Sequence, residues 1–162
     1  MSDIRRGFGI VGCGLVSQFH GAAIVNSPKA ELIAAADPDD ERLDKFVAQF
    51  GGEKAASFEA LLADERIEVV NILTPNAMHA QFAVPALEAG KHVIVEKPPE
   101  MSLAKTDEMI EAAHRKNRKV AICLQVRFRE SIRAMKTAID AGRFGRLLEG
   151  DAYMKWFRAT DY

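Results

Sequence analysis

Apolar and polar positions along the chain follow two alternating rhythms. Short apolar runs at Phe8 to Val11, Ala30 to Ala36, Glu68 to Thr74, His92 to Glu96 and Lys119 to Leu124 predict buried strands. Between them lie stretches of helical period. Asp39 to Phe50 places Leu43, Phe46, Val47 and Phe50 on one face and stops at Gly51-Gly52. Ala55 to Ser57 is expected as a short strand and Phe58 to Asp64 as a short helix. Ala77 to Ala89 reads as a helix stopped by Gly90, with Pro85 kinking or delaying it. Ser102 to Asn117 is a further helix, with Thr106, Met109, Ile110 and Ala113 on its expected buried side. Glu130 to Ala141 is another, closed by Gly142, and Leu147 to Phe157 follows in an extended pattern. Strand and helix in strict alternation predict an α/β fold, a parallel sheet doubly wound by crossover helices.

At 162 residues the chain holds one domain, or one domain and part of another. Apolar residues make up 48% and charged residues 28%, with a net charge of −1, so no charge excess favours nucleic acid or an anionic membrane. No apolar run approaches the ~18 residues of a membrane span, and the N-terminus lacks an apolar leader. Cys13 and Cys123 sit far apart in apolar contexts and read as small buried residues of a reducing cytoplasm, not as a bridge. No His/Cys spacing suggests a metal.

The first strand runs into Gly12-Cys13-Gly14-Leu15-Val16-Ser17, a Gly-x-Gly-x-x-small turn opening a helix. A pyrophosphate needs bare backbone N–H groups at a helix N-terminus, and glycine lets it approach them. Gly12 makes the tight turn, Gly14 leaves room for phosphates, and Ser17 lets the helix lie close to the strand. The backbone of Cys13, Leu15 and Val16 completes the expected cradle. The second long strand ends at Asp37, where a carboxylate can accept hydrogen bonds from ribose hydroxyls and repel a 2′-phosphate, favouring NAD over NADP. No Arg or Lys follows before Arg42. Alternatively, Asp37 only caps the next helix.

Ligands of open parallel sheets collect beyond the carboxyl ends of the strands. There the sequence places Thr74-Pro75-Asn76 with His79, then Glu96-Lys97-Pro98-Pro99, then Gln125 and Arg127. Asn76 alternatively caps a helix, and Gln125 and Arg127 are alternatively exposed loop residues. Lys97 is either a solvated loop lysine or a cation beside a nicotinamide, able to orient a reacting hydroxyl and stabilise negative charge on it.

The stretches Gly9 to Gly14, Ala35 to Pro38, Thr74 to His79, Ala86 to Pro98 and Gly142 to Arg146 resemble the N-terminal part of the glucose–fructose oxidoreductase/inositol dehydrogenase (Gfo/Idh/MocA) family. The Gly-Lys-His-Val…Glu-Lys-Pro signature carries most of that resemblance. It implies a Rossmann domain over residues 1–124, and over 125–162 the connecting helix and first strand of a truncated substrate and oligomerisation domain. It implies an NAD-dependent oxidoreductase acting on a sugar, cyclitol or nucleotide sugar, a homo-oligomer in full-length form. Lys97 would be the active-site lysine. Gly12, Gly14, Asp37, Thr74, Asn76, His79 and Glu96 would line the cofactor, with Gln125 and Arg127 near the nicotinamide. Lys155-Trp156-Phe157-Arg158 with Tyr162 resembles a Trp-x-Arg stretch of some nucleotide-sugar dehydrogenases. The family's Asn-Arg-Phe-Asn-Pro stretch appears instead as Val126-Arg127-Phe128-Arg129-Glu130. The family's acid/base histidine lies in the second domain, and none of His20, His79, His92 or His114 matches it. His20 and His114 are expected as packing or surface residues. The chain would then bind cofactor with weak turnover or none. A non-catalytic nucleotide-binding module remains the alternative, as does a lyase or glycosidase that uses bound NAD transiently. The apolar edge of Ala152, Tyr153, Met154, Trp156 and Phe157 speaks against the stand-alone module.

Overall fold

The apolar runs pair in parallel. In a computed structural model, which describes residues 5–157, 159 and 160, β1 (Arg6–Val11), β2 (Ala30–Ala36), β3 (Glu53–Lys54), β4 (Val69–Ile72), β5 (His92–Glu96) and β6 (Val120–Cys123) form one sheet. Their order is β3-β2-β1-β4-β5-β6. The chain leaves β1 towards one edge and returns to its other side for β4, so a crevice opens past the carboxyl ends of β1 and β4.

The intervening helices are α1 (Ser17–Val25), α2 (Asp40–Phe50), α3 (Phe58–Ala63), α4 (His79–Glu88) and α5 (Leu103–Lys116). They cover both faces, and two apolar clusters result. Ile10, Ile24, Leu32, Ala35, Leu43 and Phe46 fill one. Val11, Leu61, Val70, Ile72, Leu87, Val95 and Met109 are among those filling the other. Neighbours Ile10 and Val11 point into opposite clusters, as the strand's two-residue period requires. In β2 that alternation is interrupted. Phe8 pairs with Leu32 but Gly9 with Ala34, so Ile33 is an extra, bulged residue, and Leu32 and Ala35 face the same cluster.

Several expectations are corrected. The third strand is Glu53–Lys54, not Ala55 to Ser57, because it pairs with Ala34 and Ala35 while Ser57 caps α3 by accepting from the Ala60 N–H. The buried stripe of α5 is Met109, Ala112 and Ala113, with Ile110 46% exposed; the helix is rotated from the expected face. Pro85 sits inside α4, in the turn that ends at Glu88.

Residues 125–162 make a second compact unit, distinct from 1–124. It contains a 3-10 turn (Gln125–Phe128) and α6 (Glu130–Asp140), which ends where Gly142 takes a φ of 70°. No strand occurs within 147–157 among the described residues, so the expected extended strand is not formed there. Tyr153, Met154, Trp156 and Phe157 are exposed. Arg158 and Tyr162 lie outside the described residues. No helix among the described residues is long and apolar enough to cross a membrane.

Candidate functional site

At the end of β1 the chain must turn beneath the neighbouring strand end. Gly12 does so at a φ of +95°, where a Cβ would lie 2.7 Å from the Leu73 carbonyl oxygen. Its N–H donates to Ala36 O at 2.9 Å. At Gly14 a Cβ would meet nothing within 4 Å, so that side of the turn is open to a ligand. The N–H groups of Leu15 and Val16 donate to nothing among the described residues. Ser17 is fully buried, and its hydroxyl donates to Gly14 O at 2.6 Å, closing the turn. One turn on, a Cβ on Gly21 would lie 2.7 Å from the Phe50 ring, so α1 and α2 also depend on a missing side chain.

Asp37 follows β2 directly. Its Oδ2 accepts from the Cys13 N–H at 2.6 Å and its Oδ1 from the Asp39 N–H at 2.8 Å. The cap of α2 is Asp39, which accepts from the Arg42 N–H, so the helix-cap alternative for Asp37 does not hold. Burial, then the Asp37 charge, push the Cys13 thiol up to about 12, leaving it protonated and inert.

A groove of about 750 Å³ opens from the glycine turn past the strand ends. Gly12, Gly14, Asp37, Thr74 and Pro75 line it, together with Arg42, Ser57, Phe58, Met78 and Phe82, which sequence reasoning did not assign to the site. Phe58 and Phe82 meet edge to face at 4.9 Å and make an apolar wall. The Thr74 hydroxyl oxygen is buried and has no hydrogen-bond partner among the described residues. An orphaned hydroxyl, an open glycine and free N–H groups at a helix start suit a dinucleotide.

Glu96, expected in the cofactor lining, is turned inward. Its Oε1 accepts from His20 Nε2 at 3.1 Å, its Oε2 from the Lys97 N–H at 3.1 Å, and the Cys123 thiol also donates to it. Burial alone would raise its pKa, but the bonds from His20, Cys123 and Lys97 outweigh it and hold the carboxyl below the usual range. Burial and the bond to Glu96 push the Cys123 thiol up to about 11. Ligand atoms of His20, Glu96 and Cys123 lie within 4.8 Å of one another, a closeness these hydrogen bonds account for.

His79 is likewise internal and fully buried. Its Nδ1 lies 2.8 Å from Pro98 O and its Nε2 3.0 Å from Thr74 O, so one ring joins the loops after β4 and β5. Glu100 accepts from the N–H groups of Ala80, at 2.9 Å, and Met101, at 2.7 Å. Lys97 alone of residues 96–100 is exposed, held between these anchors, and the Lys97–Pro98 peptide is cis. Asn76 is exposed beside Pro75, whereas Gln125 and Arg127 are exposed residues of the second unit.

Glycine turn, strand-end acid and groove together define a dinucleotide-binding α/β domain of Rossmann type. The chain belongs to the Gfo/Idh/MocA oxidoreductase family, whose NAD-binding Rossmann-fold model matches residues 6–123. It is 34% identical over 140 residues to a 1-carboxy-3-chloro-3,4-dihydroxycyclohexa-1,5-diene dehydrogenase of Comamonas testosteroni, covering 86% of this chain and 35% of that one. It is 33% identical over 144 residues to the scyllo-inositol 2-dehydrogenase (NAD(+)) of Bacillus subtilis, covering 85% and 41%. The WlbA dehydrogenase of Chromobacterium violaceum, solved with NADH and UDP-GlcNAcA, superposes with a TM-score of 0.85 at 31% identity, covering 90% of this chain and 43% of that one. The chain therefore spans less than half the length of these relatives.

Proposed function

We propose that the chain is the cofactor-holding part of a nicotinamide-dependent oxidoreductase acting on a hydroxyl of a sugar, cyclitol or nucleotide sugar. When bound, NAD supplies the hydride acceptor or donor. The glycine turn offers the N–H groups of Leu15 and Val16 to the pyrophosphate, Asp37 accepts from ribose hydroxyls, and the Thr74 hydroxyl gains the partner it lacks. Lys97 donates to the substrate oxygen, orienting it and stabilising the negative charge that grows there as its proton leaves.

The observation that carries this reading is the placement of Lys97. It is the exposed cation at the carboxyl end of β5, one strand along from the β1/β4 crevice, on a loop whose Glu96, Pro98 and Glu100 are each hydrogen-bonded in place. Residues 125–162 would begin a substrate and oligomerisation domain, and the exposed apolar side chains at 153–157 fit a surface that the whole protein covers. The substrate classes are those in the names of the relatives, and the free, inert cysteines suit a reducing cytoplasm.

Replacing Lys97 by Ala in the full-length protein tests this. NADH affinity should stay nearly unchanged while NAD-linked oxidation of a polyol panel disappears. Collapse of NADH binding would instead make Lys97 a cofactor or structural residue. Turnover surviving in the variant would remove it from the chemistry.

A further inference from the structure

We propose that His20 and Glu96 act together as positioning residues for Lys97, tying the helix that follows the glycine turn to the strand that presents the lysine. The inference rests on the reading of Lys97 as the active-site lysine. It starts from the spacing Ser17, His20, Gly21, Ile24, an i, i+3, i+4, i+7 face that turns His20 towards the sheet and buries it. Asn71 of β4 donates to its Nδ1 at 3.0 Å, so Nε2 carries the proton and donates to Glu96 at 3.1 Å.

The Glu96 carboxylate takes its other bonds from the Lys97 N–H and from the Cys123 thiol of β6, which is paired with it across the sheet. One helix and three strand ends thus converge on a buried carboxylate a single peptide from Lys97. Asn71 is 2% exposed, Glu96 8% and His20 9%, so water competes weakly for these bonds and the set is stiff. The Lys97 charge is also felt at the Cys123 thiol, which places the ammonium within electrostatic reach of the same cluster. A shift of α1 when phosphates occupy its N-terminus would pass through His20 to the lysine's own peptide.

The test reads the lysine directly and needs no substrate. Reductive methylation of the full chain with 13C-formaldehyde gives each lysine a dimethyl NMR signal, and Lys97→Arg identifies the one from position 97. The native Lys97 signal should stand apart from those of the solvated lysines. His20→Ala and Glu96→Gln should move it by more than a linewidth towards them. His20→Gln, whose amide can donate to Glu96, should restore most of the displacement. Leu61→Ala, which loosens the cluster on the other face of the sheet, should leave the signal in place.

A folded His20→Ala with an unmoved signal overturns the proposal, and so does an equal displacement in Leu61→Ala. Should His20→Ala fail to fold, Cys123→Ala, which removes only the thiol's bond, must give a smaller shift in the same direction, and no shift overturns the proposal. Because the signal is independent of turnover, a Lys97→Ala variant that keeps activity would refute the catalytic reading while leaving this result legible.

Discussion

Asp37 accepts the N–H of Cys13 at 2.6 Å, so the acid that ends β2 is fastened to the glycine turn that ends β1. A carboxylate offers about four lone-pair sites, and two are used here by Cys13 and Asp39, leaving capacity for ribose hydroxyls. Asp37→Ala should therefore do two things at once. Losing one charge-assisted bond, about 1.5–3 kcal/mol, should weaken NADH roughly 10- to 150-fold in a fluorescence titration. The melting temperature should fall too, because the Cys13 N–H loses its acceptor. An unchanged NADH affinity would remove Asp37 from the site.

Arg42 stands in the same groove wall, held by Asp39 at 3.1 Å. Asp37→Ser should then shift preference towards NADPH, since the repelling carboxylate is gone and a guanidinium is at hand for a 2′-phosphate. Competitive titration of the two cofactors reads this, and Asp37→Ser/Arg42→Ala should lose the gain.

Gly12 and Gly14 should separate under the same substitution. Gly12→Ala forces a Cβ against the Leu73 carbonyl at a positive φ, and should lower the melting temperature markedly, by about 1–3 kcal/mol of stability or more. Gly14→Ala meets no protein atom and should melt like the native chain, yet bind NADH more weakly. If Gly14→Ala binds normally, the pyrophosphate does not pass there.

The His79 ring fills a sealed site between two carbonyl oxygens. His79→Ala should cost about 2–5 kcal/mol through the cavity and the unmet carbonyls, read by chemical denaturation. His79→Phe refills the volume without the bonds, so the difference between the two variants isolates the polar contribution.

Burial would raise the Glu100 pKa, but the N–H groups of Ala80 and Met101 win and hold it below the ordinary 4.5. A carboxyl depressed in the folded state stabilises above its unfolded pKa and loses that contribution as pH falls through the folded value. Acid unfolding of Glu100→Gln should accordingly be less steep below about pH 4.5, from a lower starting stability at pH 7. Parallel acid-unfolding curves for the two proteins would contradict this.

The strands were legible because buried parallel strands are written as continuous apolar runs; His92–Glu96 and Ala30–Ala36 match their expected limits. The glycine turn was legible because backbone geometry restricts the residue type. Side-chain direction was harder. Leu15, Phe19 and Val25 are exposed apolar residues around α1, which blurs its face and hides His20 among packing residues. Counting from Asp37 made Arg42 seem distant, yet the first turn of α2 brings it to the groove wall. For His79 and Glu96 the residue types drew attention, but only the folded loops reveal that both turn inward. The signal for His20 was present in its i+3 spacing from Ser17.

The bulge at Ile33 bears on how spacing in such chains is to be understood. It takes up one residue of contour without lengthening the strand, so Asp37 still arrives opposite the glycine turn although it comes late in the count. Distance along the chain measures thread, whereas pairing measures cloth. Deleting Ile33 would shorten the thread by one residue yet leave the cloth as it is, with Phe8 beside Leu32, Gly9 beside Ala34, Leu32 on its present face and the acid still in line with Cys13.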